Sequence, residues 1–131
     1  MTNTAILCVD DEVTILKSLQ IELYNVFGDT YTYELAQSAE EAREIMEELD
    51  EQGLQIIIII SDWLMPEMKG DEFLIQIHEK YPDIVKIMLT GQATEDAVER
   101  AKRYANLYRC LSKPWDSGEL IATIQAVIKQ L

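Results

Sequence analysis

Five isoleucines in succession, Ile56 to Ile60, run straight into Ser61, Asp62 and Trp63. Other short apolar runs also end on groups able to do chemistry. "AILCV" leads to Asp10 and Asp11, "IVKIML" to Thr90 and Gly91, and "LYRCL" to Ser112, Lys113 and Pro114. If these runs are strands of one parallel sheet, their carboxyl ends share an edge, and open α/β sheets gather reactive groups there, where strand order reverses. Three carboxylates, a hydroxyl and an ammonium then occupy one crevice. Three aspartates a few ångströms apart repel by about 4 kcal/mol per close pair at an effective dielectric of 20, so they must hold protons or a cation. A hard divalent ion resolves the conflict. With few carboxylates and the remaining ligands water and backbone carbonyl, Mg²⁺ fits best, and Mn²⁺ accepts the same donors. Aspartate is also a nucleophile toward phosphorus. Lys113 and the cation would neutralise charge on a transferring phosphoryl group, and Thr90 would hydrogen-bond one of its oxygens.

The elements that must position these groups are legible as hydrophobic periods. "AILCV" reads as a buried strand, after which Ile15, Leu16, Leu19, Leu23, Val26 and Phe27 recur at helical spacing up to Gly28. "YTYELA" alternates Tyr31, Tyr33 and Leu35 with Thr32, Glu34 and Ala36, as an edge strand with one wetter face does. Ser38 and Glu41 form a capping-box pattern ahead of the stripe Ala42, Ile45, Met46, Leu49. The isoleucine run shows no alternation, so both its faces must be buried, which places it in the middle of a helix-covered parallel sheet. Phe73, Leu74, Ile77 and Tyr81 mark a third helix ending near Pro82. Ala97, Val98, Ala101 and Tyr104 mark a fourth with a small stripe, and Asp116 and Glu119 cap a last one carrying Leu120, Ile121, Ile124, Val127, Ile128 and Leu131. Five β/α units in this length predict an open, doubly wound sheet in a single domain, residues 1–131.

Composition bounds the partners. The 131 residues carry 24 acidic against 11 basic side chains, a net charge of -13, which disfavours direct contact with a nucleic-acid backbone or an anionic membrane. The longest apolar run is far short of the roughly 20 residues that span a bilayer. Cys8 and Cys110 lie in apolar segments and no secretory leader pattern opens the chain, so a reduced, cytoplasmic protein is expected. His78, the single histidine, reads as a surface residue remote from the strand ends, and Arg100, Lys102 and Arg103 read as a solvated basic face.

Four motifs, each at a strand end, carry a resemblance: "VDDE", "SDWLMPEMKG", "LTG" and "SKPW", in that order. Over essentially its whole length the chain resembles the receiver domain of two-component response regulators. The resemblance implies a flavodoxin-like sheet of order 2-1-3-4-5 with five helices in three αβα layers. It implies that Asp62 is the phosphoacceptor, Asp11 a direct Mg²⁺ ligand, Asp10 a ligand mainly through water, and the Leu64 carbonyl a further ligand. Thr90 would be the switch hydroxyl, Lys113 the phosphate-binding lysine, and Lys113–Pro114 a cis peptide. Backbone amides of Trp63 and Gly91 would face phosphoryl oxygens, with the Trp63 indole a lid or packing group. Leu64 and Gln92 occupy the positions that influence water attack, which predicts slow to moderate self-dephosphorylation.

Where receivers most often carry a switch tyrosine or phenylalanine, this chain has Cys110, so Tyr108 or Trp115 is expected to report the change instead. The implied function is a phosphorylation switch charged by a sensor histidine kinase or a phosphotransfer protein, not an enzyme beyond its own phosphorylation and dephosphorylation. Its output face would be the fourth helix, fifth strand and fifth helix. The implied partners on that face are an HD-GYP phosphodiesterase or kinase output domain, a separate effector, or a second copy of the chain. The alternative is a Mg²⁺-dependent phosphatase of the haloacid dehalogenase type. That enzyme wants two aspartates spaced by one residue after the first strand and further acids after the fourth. Here the first strand gives "DDEVT", and nothing acidic follows "IMLTG" until Glu95.

Overall fold

Burying the isoleucine run on both faces dictates the architecture. The computed structural model describes residues 3–131. Its strands are β1 (Thr4–Val9), β2 (Thr32–Ala36), β3 (Gln55–Ser61), β4 (Val85–Leu89) and β5 (Arg109–Leu111). Its helices are α1 (Val13–Phe27), α2 (Ala39–Glu51), α3 (Gly70–Lys80), α4 (Glu95–Ala105) and α5 (Ser117–Lys129). All neighbouring strands are parallel, in the order β2-β1-β3-β4-β5. This is the flavodoxin-like order, with β2 at an edge and β3 in the centre.

Helices α1 and α5 cover one face, packing with Ile6, Cys8, Ile57, Ile58, Ile60 and Leu111. Residues of α2, α3 and α4 pack on the other with Leu7, Ile56, Ile59 and Met88. Ile57 and Ile58 are consecutive yet belong to the same face, because the β1–β3 register shifts between Ala5 and Ile6. Such a bulge inserts one residue and re-aims those after it, so Asp62 leaves β3 with a phase that strict alternation would not give. Each buried isoleucine contributes roughly 1.5–3 kcal/mol, which makes β3 a stiff base for what it carries. No helix among the described residues is long and apolar enough to cross a membrane.

Local signals act much as the sequence predicts, with several corrections, the first being Val26, which helical spacing puts on the apolar stripe of α1 but which is 47% exposed. Ser38 accepts the Glu41 N–H at 3.1 Å, but Glu41 returns its bond to the Gln37 N–H, so the box is displaced by one residue. In α4 the buried residues are Ala97, Ala101 and Ala105, while Tyr104 faces outward at 55% exposure. A strict i, i+4 stripe of alanines lets α4 approach closely and leaves no room inside for a phenol. Leu131 lies beyond α5 and is exposed.

The expectation for His78 also needs correction. It is partly buried, and its Nδ1 accepts a hydrogen bond from Lys86 Nζ at 2.7 Å, while the Pro82 carbonyl accepts a second at 3.3 Å. Lys86 itself is buried at 1% exposure, and burial pulls its pKa down to about 8 against the opposing charge of Asp83. Burial and the Lys86 charge likewise lower the pKa of His78. Since the fold favours neutral Lys86, the unfolded chain binds the extra proton between pH about 8 and the ordinary lysine range, and unfolding free energy should rise with pH across that window. Lys86→Met should abolish the rise and, at neutral pH, stabilise the protein by about 1–3 kcal/mol. Urea unfolding of both proteins at neutral and alkaline pH checks this; parallel pH profiles would contradict it.

Candidate functional site

The ends of β1, β3, β4 and β5 meet at one open cavity of about 400 Å³, lined by Asp11, Glu12, Asp62, Leu64, Thr90, Gly91, Gln92 and Lys113. At the end of β1, Asp10 is buried and uses both carboxylate oxygens. Oδ1 accepts the Glu12 N–H at 2.8 Å, a turn that starts the entry into α1, and Oδ2 accepts from Lys113 Nζ at 2.5 Å. The turn and the site contact are therefore carried by different atoms of one residue, while the N-cap of α1, Glu12, has no side-chain cap bond. Asp11 is exposed toward the cavity.

At the end of β3, Asp62 is 5% exposed. Its Oδ1 accepts the Trp63 N–H at 2.7 Å and the Leu64 N–H at 3.4 Å, and its Oδ2 accepts from Lys113 Nζ at 3.2 Å. Lys113 thus bridges Asp10 and Asp62. Burial draws its pKa down, but the two carboxylates outweigh burial and hold it above the ordinary lysine value. Asp10 is raised, by burial first and by the charge of Asp62, against the lowering effects of Lys113 and the Glu12 amide. Carboxylate oxygens of Asp10, Asp11 and Asp62 lie within 4.8 Å of one another. That all-oxygen donor set, opening on a cavity and only partly neutralised by one ammonium, fits a hard divalent cation.

The β4 end supplies Thr90, buried at 6% exposure, whose N–H donates to the Leu111 carbonyl and whose Oγ1 accepts the Gln92 N–H at 3.3 Å. A Cβ on Gly91 would sit 3.2 Å from the Lys113 carbonyl oxygen, so glycine lets the β4–α4 loop run close to the β5 end. The Lys113–Pro114 peptide is cis.

Four further side chains flank the site. The Trp63 amide is bonded to Asp62 itself, and the indole does not line the cavity: its Nε1–H donates to Asp71 at 2.9 Å, with Lys69 Nζ 5.3 Å from the ring centre. Of the two roles expected for it, lid or packing group, the indole takes the second: it packs against the core and is clamped toward α3. Trp115 Nε1–H donates to Glu22 of α1 at 2.9 Å, which ties it to the face opposite α4. Cys110 is half-buried and packs with the α2–α3–α4 side, and Tyr108, just before β5, is 38% exposed. Both thiols are held above the ordinary cysteine range chiefly by burial, with Cys8 pushed up to about 12.

Two residues that shape the surroundings of Asp62 escape sequence reasoning. Gly70, the first residue of α3, has its N–H on the Trp63 carbonyl at 2.7 Å, and a Cβ there would lie 2.2 Å from the Asp62 carbonyl oxygen. Asp71, next in the chain, is buried and bonded to both Trp63 and Arg100. Arg100 is accordingly an ion-pair partner and not merely part of a solvated face.

A doubly wound sheet with an acidic, lysine-bridged crevice at the ends of β1, β3, β4 and β5 is the architecture of a two-component signalling domain. Residues 6–125 match the family model for the response regulator receiver domain, and the chain belongs to that family. It is similar to the sensor kinase CckA of Brucella abortus, 37% identical over 100 residues, which cover 76% of this chain and 10% of that protein. Its fold follows that of the signal receiver domain of an HD domain-containing protein from Pseudomonas fluorescens, at 31% identity and a TM-score of 0.86 over 97% of this chain and 95% of that one. It likewise follows the beryllofluoride-activated NtrC4 receiver domain dimer, at 29% identity and a TM-score of 0.81 over 98% of each chain. The chain spans 24% and 10% of the lengths of the first two curated relatives it matches.

Proposed function

We propose that residues 1–131 act as one receiver domain, a cytoplasmic switch in which Asp62 accepts a phosphoryl group from the phosphohistidine of a sensor kinase or a phosphotransfer protein. The observation that carries this reading is the Lys113 ammonium bridging buried Asp10 and Asp62 beside Asp11. In the transfer, an Asp62 carboxylate oxygen forms a bond to phosphorus as the bond from phosphorus to the donor imidazole nitrogen breaks, and the imidazole leaves with the electron pair. Lys113 then moves its charge from the two carboxylates onto the phosphoryl oxygens. Thr90 Oγ1 already accepts from the Gln92 N–H, so its own proton is free to donate to a phosphoryl oxygen. The amides of Trp63 and Gly91 supply further donors.

Asp10, Asp11, Asp62 and the Leu64 carbonyl would hold Mg²⁺ or Mn²⁺, which when bound supplies positive charge against the phosphoryl oxygens. Leu64, 38% exposed at the cavity, and Gln92 set water access, with slow to moderate self-dephosphorylation as the outcome. A haloacid dehalogenase-type phosphatase is disfavoured by the β4 end, where Thr90, Gly91 and Gln92 stand in place of acids. The chain's relatives include a sensor kinase and the receiver of an HD domain-containing protein. By analogy its output, through α4, β5 and α5, is to an HD-type or kinase domain, an effector, or a second copy of itself.

Incubation with phosphoramidate and Mg²⁺ tests the chemistry. An aspartyl phosphate is an acyl phosphate, so the adduct should be removed by hydroxylamine. An adduct that resists hydroxylamine would place the phosphate on a hydroxyl and overturn the reading.

A further inference from the structure

The residue after Asp62 is joined to α4 by side chains alone. The Trp63 N–H is on Asp62 Oδ1 at 2.7 Å, and its indole N–H is on Asp71 Oδ1 at 2.9 Å. Asp71 Oδ2 accepts from Arg100 Nη1 on α4, also at 2.9 Å. Each oxygen of a carboxylate with only 9% of its side chain exposed is therefore committed to a different element. The α3 end of this path is fixed, since the Gly70 N–H donates to the Trp63 carbonyl and Lys69 lies over the indole. The α4 end is freer: Arg100 is half exposed on a helix whose buried side is three alanines.

From this we infer that Asp71 is a positioning residue for Trp63, and that the Trp63–Asp71–Arg100 chain carries the state of Asp62 to α4. The inference rests on the phosphoacceptor reading of Asp62. When an Asp62 oxygen is taken up by a phosphoryl group, the Trp63 amide exchanges its carboxylate acceptor for a phosphoryl oxygen. The Trp63 peptide turns, and the indole, anchored to the same Cα, pulls on Asp71. Asp71 cannot follow without loosening Arg100, because its two oxygens are shared between them. The coupling is an exchange of hydrogen-bond partners between two arrangements, as a switch requires.

NMR with beryllofluoride and Mg²⁺ as the phosphoryl mimic tests the path. The Trp63 indole resonance is identified by its survival in Trp115→Phe. In the wild type, beryllofluoride should shift that resonance and the amides of residues 95–105. Arg100→Gln, a change on the exposed side of α4, should bind beryllofluoride as the wild type does and still shift the indole. Its α4 shifts should nevertheless fall at least threefold, and Arg100→Lys should restore most of them. Asp71→Asn should show the same loss at α4 together with a displaced indole resonance before any beryllofluoride is added. If Arg100→Gln keeps wild-type α4 shifts while beryllofluoride is bound, the path is wrong and the Asp62 reading stands. If beryllofluoride leaves the wild-type spectrum unchanged, the Asp62 reading falls, and this inference falls with it.

Discussion

Lys113→Met should destabilise the protein by about 3–5 kcal/mol at neutral pH without divalent cation, because it leaves two buried carboxylates without their shared partner. Asp10 and Asp62 are 2% and 5% exposed, and among the described residues Lys113 Nζ is the only cation paired with either. The pH dependence has a definite sign. Lys113 has a raised pKa in the fold, so its contribution is complete at neutral pH and is lost only as pH rises through that raised value. Asp10 also has a raised pKa, chiefly from burial, so acid that protonates it relieves the repulsion. The gap between variant and wild type should therefore narrow as pH falls through the raised Asp10 range. Added Mg²⁺ should also narrow it, by neutralising the carboxylates that have lost their ammonium partner. Phosphoryl uptake from a small-molecule donor should slow by about 10²–10³, the usual cost of removing one donor aimed at developing charge. Urea unfolding with and without Mg²⁺, followed by single-turnover phosphorylation, checks each part. Wild-type stability and rate in the variant would show that the bridge is incidental.

Gly70→Ala should be nearly as damaging, although the change is one methyl group. The added Cβ would lie 2.2 Å from the Asp62 carbonyl oxygen and 2.7 Å from the Trp63 Cα, and both are backbone atoms that no rotamer change can move aside. Either α3 retreats or the Asp62–Trp63 peptide turns. Overpacking of this kind costs about 1–3 kcal/mol, and a misplaced nucleophile about 10²-fold in rate. The expected result is a lowered midpoint of thermal unfolding together with phosphorylation slowed more than tenfold. A stable variant phosphorylated at the wild-type rate would mean that the loop tolerates the shift. The hydrogen bond from the Gly70 N–H to the Trp63 carbonyl makes that tolerance expensive.

The parts of this molecule that were legible beforehand obey short-range rules. An unbroken isoleucine run can only be a central strand, and groups that close parallel strands must share an edge, so the sequence itself brings Asp10, Asp11, Asp62, Thr90 and Lys113 together. What escaped depends on long-range approach. Nothing local announces that Gly70 abuts the Asp62 carbonyl, or that Asp71 meets Arg100 across 29 positions. The bulge that puts Ile57 and Ile58 on one face lies in a pairing, not in a segment. Lys86 is different, because its signal was present: two residues before Met88 in the same strand, it had to face the same core. Reading "IVKIML" as a uniformly apolar run concealed it. Tyr104 was misplaced because its helical spacing fits the stripe, while Ala105 fits it better and is small enough for α4 to dock.

The central claim is that one carboxylate, at the tip of β3, takes the phosphoryl group. Intact mass after incubation with acetyl phosphate and Mg²⁺, for wild type beside Asp62→Asn, tests it most directly. The wild type should gain the mass of one phosphoryl group and the variant none. No adduct on the wild type, or an equal adduct on the variant, would contradict the account.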